Sequence, residues 1–147
     1  MRVAPTFPSP ARVVSGIHGI PLREYSLAAI CSPMPWEVEA HRDFAREIET
    51  LPAEVQDALL AQMLRLREGG PMLGRPLVDT LKGSRIAKLK ELRFDVGGGV
   101  WRVAFVFDGQ RVAVLPAGGN KRGQSEKRFY KWLVGLAEAR FDTLERG

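Results

Sequence analysis

Positive charge recurs at close spacing through the second half of this chain. "KLKELR" (88–93) sets Lys88, Lys90 and Arg93 within one short run, and Arg102 follows in "VWRVAFVFD". "GGNKRGQSEKRFYKW" (118–132) then carries Lys121, Arg122 and Arg128 beside Phe129, Tyr130 and Trp132. Guanidinium and ammonium groups held together suit a phosphate. The charge distribution agrees. Residues 81–147 hold fourteen Lys/Arg against seven Asp/Glu, whereas residues 37–68 hold four against eight. The whole chain of 147 residues carries +5 with a pI near 9.8. Such asymmetry marks a polyanion-binding surface, with nucleic acid as the first candidate.

The elements that must position these groups are legible from period and punctuation. "WEVEAH" (36–41) alternates as a half-buried strand. Phe44, Ile48 and Leu51 follow at helical spacing, with Thr50 as the expected N-cap of a second helix carrying Val55, Leu59, Met63 and Leu66 on one stripe. "GGPMLGRPLVD" is expected to be loop. "IAKLKELRFD" has strand length, but strict alternation puts Lys88 and Lys90 with Leu92 and Phe94, so a bulge near Lys90 or Glu91 is expected. "VWRVAFVFD" sets Trp101, Val103, Phe105 and Phe107 against Arg102, Ala104 and Val106. Val96–Gly99 reads as a hairpin turn, Asp108-Gly109 as a two-residue one, and "QRVAVLPAG" as the returning strand, with Pro116 limiting its pairing. Ser125 is expected to cap a last helix packed through Phe129, Trp132, Leu133, Leu136 and Ala137. The expected fold is α+β, in the order β-α-α-β-β-β-α, with a small, mainly antiparallel sheet and helices on one face. Adjacent strands lie about 4.8 Å apart, so cations from three consecutive strands can converge over one or two nucleotides.

Other chemistries find little support. One cysteine, Cys31, and two histidines, His18 and His41, offer neither a disulfide nor a metal-ligand set, and His41 reads as a surface or capping residue. Neither glycine-rich stretch has P-loop or dinucleotide-fold spacing. "AGGNKRGQS" does lead into a helix N-terminus, where free N–H groups favour an anion, so Lys121 and Arg122 are expected to flank a phosphate there. No apolar run reaches the ~18 residues of a membrane span, and a cytoplasmic protein without cofactor is expected. Six of ten prolines precede Trp36. Residues 1–33 are therefore read as a poorly structured extension and 34–147 as the folded domain.

The run "KLKELRFD…WRVAFVFDGQRVAVLPAGGNKRGQSEKRFYKWLVGLAEARF" resembles the HigB branch of the RelE/ParE superfamily, the phage Gp49-like toxins of type II toxin–antitoxin modules. The features carrying it are "ELR", "RVAF.F", the glycine followed by a basic pair, and the final helix with "LAEARFD". The resemblance implies a RelE-like fold and a metal-independent endoribonuclease, an mRNA interferase that cleaves mRNA on the ribosome. It also implies inhibition of translation and neutralisation by a HigA-like helix-turn-helix antitoxin. In that chemistry the 2′-hydroxyl attacks the adjacent phosphodiester, leaving a 2′,3′-cyclic phosphate and a 5′-hydroxyl. It implies Arg93, Arg102 and Arg122 as catalytic cations, Lys88 or Lys90 as base, and Lys121, Arg128 and Tyr130 as RNA contacts. The chain departs from some relatives in having no histidine after His41, and in placing Arg128 where RelE-like toxins have tyrosine. A ParE-like gyrase inhibitor and an inactive nucleic-acid-binding module are the alternatives.

Overall fold

A computed structural model describes residues 35–146, so the extension expected over 1–33 lies outside the described residues. The chain runs β1 (Glu37–Ala40), α1 (Arg42–Glu49), α2 (Ala53–Gly69), a 3-10 turn (Gly70–Met72), β2 (Val78–Thr80), β3 (Lys90–Val96), β4 (Gly99–Phe107), β5 (Val112–Asn120) and α3 (Glu126–Arg146). The fold is α+β with one five-stranded mixed sheet, ordered β1-β5-β4-β3-β2. Only β1 pairs in parallel, with β5. The expected order holds, with β2 added from what reads as loop in the sequence: its three residues are too few to show a period.

Alternation along β4 and β5 buries both faces of the sheet. Val103, Phe105, Ala113 and Leu115 pack with Phe44, Ile48, Leu59 and Met63 of α1 and α2. Ala104, Val106, Val112, Val114 and Ala117 pack with Phe129, Leu133 and Ala137 of α3. The helices therefore lie on both faces, not on one as expected. The correction has a simple cause: β4 and β5 are apolar at nearly every position, which is the pattern of a strand covered twice.

Several local expectations shift. Thr50 closes α1 rather than opening α2: its hydroxyl donates to the Glu47 carbonyl at 2.7 Å, and Pro52 precedes the first turn of α2. The hairpin after β4 is a four-residue loop, Asp108–Arg111, organised by the Asp108 carboxylate accepting from the N–H groups of Gln110 and Val112. The β3–β4 turn is the expected tight one, with Gly97 and Gly98 both at positive φ. The β3–β4 register is unbroken from Lys90 to Val96, so no bulge lies near Lys90 or Glu91. The bulge falls instead in β5, where Leu115 and Pro116 stand against Phe105. Proline suits a position with no ladder bond to make.

That bulge re-phases the end of β5 and sets two adjacent glycines to opposite faces. A Cβ on Gly118 would sit 2.9 Å from Phe44 Cζ and 2.8 Å from Val103 Cγ2; one on Gly119 would sit 2.9 Å from Trp132 Cζ3. The pair lets α1 and α3 close on the same strand from both sides. Phe129 is fully buried there, whereas Trp132 remains half exposed, so the stripe expected from α3 is narrower than read. Ser125 caps α3 as expected, with its carbonyl accepting from the Phe129 N–H at 2.9 Å and its hydroxyl from that of Arg128 at 3.4 Å.

Past the short β1, α1 and α3 touch directly. Arg140 donates to both carboxylate oxygens of Glu47 and to the Pro116 carbonyl. His41, which is buried, caps α1 by accepting from the Asp43 N–H at its Nδ1, and its Nε2 lies 2.8 Å from the Thr143 hydroxyl. Its burial, the largest influence, holds its pKa below the ordinary histidine value. The capping role expected for His41 is present; the surface position is not. Truncating Phe129 to alanine removes a fully buried ring at the seam of α3 and the sheet, and is expected to cost about 3–5 kcal/mol, measured by urea unfolding against wild type.

Candidate functional site

The site follows from the face of the sheet that α3 covers only in part. α3 lies over β5 and β4, which leaves β3 and β2 open beside it. On β3, the residues out of phase with the apolar Leu92 and Phe94 are Glu91, Arg93 and Asp95, and all three point to this side. Arg102 of β4 is the direct cross-strand partner of Arg93. Two like charges opposite each other on one face repel, and sheets ordinarily avoid the pairing. Here it persists because acids surround it.

Arg93 lies with its Nη1 3.4 Å from an Asp79 carboxylate oxygen on β2 and its Nε 3.9 Å from Glu91 Oε1. Arg102 is only 7% exposed. Its Nη1 donates to the Trp101 carbonyl at 2.8 Å and stands 3.7 Å from the Asp95 carboxylate, while its Nε is buried without a hydrogen-bond partner. A guanidinium so placed is desolvated, which strengthens its field at any group it faces. Asp79, itself held by the Thr80 N–H and by Arg75, has its pKa lowered and stays ionised beside Arg93.

From above, α3 contributes Tyr130. Its hydroxyl donates to Glu91 Oε1 at 3.2 Å, and Glu91 is a buried residue, 4% exposed, with its second carboxylate oxygen unpartnered. Burial raises the Glu91 pKa, against the lowering effects of the Tyr130 hydrogen bond and of Arg102 and Arg93, with Asp79 adding to the rise. Burial also raises that of Tyr130; the Glu91 charge and hydrogen bond reinforce the shift while Arg102 opposes it. Lys121 lies with its ammonium 5.5 Å from the Tyr130 ring centre and 2.9 Å from Glu126. An open groove of about 350 Å³ runs past these groups, lined by β2 and its following turn, by Glu91 and Arg93, and by Glu126 and Tyr130. That is room for a nucleotide.

Of the residues expected to act, Arg93, Arg102, Lys121 and Tyr130 come together. Lys90 does not: it shares the phase of Leu92 and Phe94, and its ammonium lies 5.9 Å from the Phe107 ring centre on the α1/α2 side. Lys88 precedes β3 in a left-handed turn (φ 62°) and is no part of the strand. Arg122 bends back to donate to the Gly98 carbonyl, over the β3–β4 turn. Arg128 is exposed two positions before Tyr130, about 160° around the helix from it. The expected phosphate seat at the mouth of α3 is occupied by Glu126, whose carboxylate takes the Lys121 ammonium. Two of the groove-lining residues, Glu91 and Lys82 in the turn after β2, were not anticipated. Glu91 was findable, since it alternates with Arg93 on one strand; Lys82 lies in irregular chain with no period to place it. Among the described residues no group of three or more His, Cys, Asp or Glu could hold a metal ion, and no helix is long and apolar enough to cross a membrane.

Comparison with known proteins gives a consistent family. The model of the phage-derived Gp49-like proteins matches residues 46–142. A Mycobacterium tuberculosis protein named as a candidate toxin, HigB2, is 37% identical over 107 residues, covering 72% of this chain and 51% of that one. A second from the same organism, HigB3, is 42% identical over 74 residues, 50% of this chain and 62% of its own. The chain thus spans about half to three-fifths of the length of these curated relatives. The solved structure of an arginine-substituted E. coli toxin RelE in the free state aligns with 69% of this chain and 96% of its own, at 14% identity and a TM-score of 0.49.

The raised Glu91 pKa fixes a pH dependence of stability. The folded chain holds that proton more tightly than the unfolded one, so this contribution is greatest in acid and is lost as pH rises from the ordinary carboxylate range through the raised value. Glu91→Gln keeps the acceptor for Tyr130 and removes the buried charge. It is expected to melt higher than wild type at neutral pH, with the difference closing on acidification, as read by thermal unfolding across pH.

Proposed function

The chain belongs to the phage-derived Gp49-like family, and from that membership we propose that it is the toxin of a type II toxin–antitoxin pair, acting as a metal-independent endoribonuclease on mRNA at the ribosome. The observation that carries this reading is the Arg93/Arg102 cross-strand pair, with Lys121 and Tyr130 beside it at an open groove. Cleavage by an internal 2′-hydroxyl places two negative charges on the phosphorane, and preorganised cations in a partly dry site stabilise that state more than the ground state. Arg93 meets the phosphate from the groove wall, Lys121 from the turn before α3, and buried Arg102 supplies field from beside them. Arg122, over the β3–β4 turn, and exposed Arg128 lie outside the groove and add salt-dependent affinity for RNA rather than chemistry. The names carried by the HigB relatives support the toxin reading. A toxin of this class requires a neutralising partner; a small helix-turn-helix antitoxin of the HigA kind, acting in the cytoplasm where the ribosomes are, completes the proposal.

Induced expression with mapping of RNA 5′ ends tests it. Wild type is expected to arrest growth and to create new ends within translated messages. Arg93→Ala and Arg102→Ala are each expected to lower cleavage by about 10²–10³-fold and to relieve the arrest. Arg93→Ala separates chemistry from folding, since its side chain is one-third exposed. Arrest with intact mRNA and trapped gyrase–DNA would instead identify a gyrase inhibitor.

A further inference from the structure

The groove is lined by Lys82 and Arg93 and by the carboxylates of Asp79, Glu91 and Glu126. Asp79 and Glu126 are engaged by Arg93 and Lys121 and have lowered pKa values, which leaves Glu91, whose pKa is raised, as the basic carboxylate. Lys90 lies on the other face and Lys88 outside the strand, so the lysine base expected from the sequence has no place beside Arg93 and Arg102. Glu91 does. We propose that Glu91 is the proton acceptor of the cleavage reaction, acting through the Tyr130 hydroxyl, so that the two side chains form a relay between the RNA 2′-hydroxyl and the interior of the sheet. The proposal rests on the ribonuclease reading above and assigns it a base.

Three features of the geometry point to it. Tyr130 donates its hydroxyl proton to Glu91 Oε1 and lines the groove, with the Arg102 guanidinium close to its oxygen. The second carboxylate oxygen, Oε2, is buried without a partner. A carboxylate kept dry and incompletely hydrogen-bonded is a high-energy anion unless it takes a proton. Finally, the groups that face Glu91 are of both signs: Asp79 from β2, Arg93 beside it on β3, Arg102 from β4, and Tyr130 from α3, with the Lys121–Glu126 pair on the far side of the Tyr130 ring. Purely structural needs at that position would be met by a neutral acceptor.

The step balances. The 2′-hydroxyl proton passes to the Tyr130 oxygen as the Tyr130 proton passes to Glu91 Oε1. The O2′–P bond forms with the freed electron pair, the P–O5′ bond breaks, and the departing O5′ takes a proton from the Lys121 ammonium. Products are a 2′,3′-cyclic phosphate and a 5′-hydroxyl. Glu91 leaves the step protonated and Lys121 neutral, and a proton passing from the first to the second through solvent restores both.

Single-turnover cleavage of mRNA on purified ribosomes, followed from mildly acid to mildly alkaline pH, tests this. For wild type the rate is expected to rise with pH along one acid limb, because the base must be ionised; burial places that limb above the ordinary carboxylate range. Glu91→Gln and Tyr130→Phe are each expected to lower the rate by about 10²–10³-fold, to abolish the limb and to leave RNA affinity within a few-fold. The double variant is expected to be no slower than either single one, since the two residues act as a unit. A Glu91→Gln protein that cleaves at the wild-type rate, or that slows but keeps the acid limb, overturns the relay while the ribonuclease stands. Absence of cleavage by wild type itself overturns the ribonuclease reading and the relay with it.

Discussion

Everything about this site depends on a guanidinium held almost entirely out of water. Arg102 sits in the middle of the sheet, opposite a second arginine, donating to one backbone carbonyl with Asp95, Glu91 and Tyr130 around it. Removing a cation from water is costly unless opposite charge is arranged around it. The acids of β2 and β3 are that arrangement. Asp79 draws Arg93 outward along the groove wall, Glu91 sits between the arginines and the tyrosine, and Asp95 lies at the far end beside the tight turn. The site is therefore a compact block of alternating charge rather than a basic patch, although the chain as a whole is basic.

The geometry of that block is set by the two-sided burial of β4 and β5. Were α3 on the same face as α1 and α2, Arg102 would face solvent and lose the low-dielectric surroundings that give its charge reach. The bulge at Leu115–Pro116 matters for the same reason. It restores Gly118 to the α1 side and Gly119 to the α3 side, so the last strand can be clasped twice within two residues. α3 is then fixed at both ends. Phe129 anchors it near the site, and the Glu47–Arg140 and His41–Thr143 contacts hold its far end to α1. Tyr130, one residue after Phe129, inherits that rigidity, which is what a 3.2 Å contact with a buried acid requires.

The sequence made much of this legible, and where it did not the reason is physical. Alternation named both faces of β4, and the order of elements followed from period and punctuation. Arg93 and Arg102 were placed on successive strands by counting residues. Register between strands was beyond such counting; it depends on the turn at Gly97-Gly98, and it decides that those two arginines are partners. Lys90 illustrates the limit well. Its phase with Leu92 and Phe94 was visible in "KLKELRFD", but a lysine among apolar neighbours invites a bulge as the remedy, whereas its long stem simply reaches the rim of the core beside Phe107. Glu91 was hidden for the opposite reason. An acid between two cations reads as charge balance until burial shows that it has no water to balance it.

The strand that bounds the groove, β2, is also the rim of the whole sheet, and it spans three residues. Unpaired amide and carbonyl groups along such a rim are a template on which further chains can stack. A stretch this short offers little to copy, and Asp79 places a charge in its middle. The sheet beneath is apolar on both sides and would be a hazard if it ended in a long, flat strand. Ending it with three residues leaves one wall of the groove open to a ligand while giving a second copy of the sheet almost no backbone on which to grow.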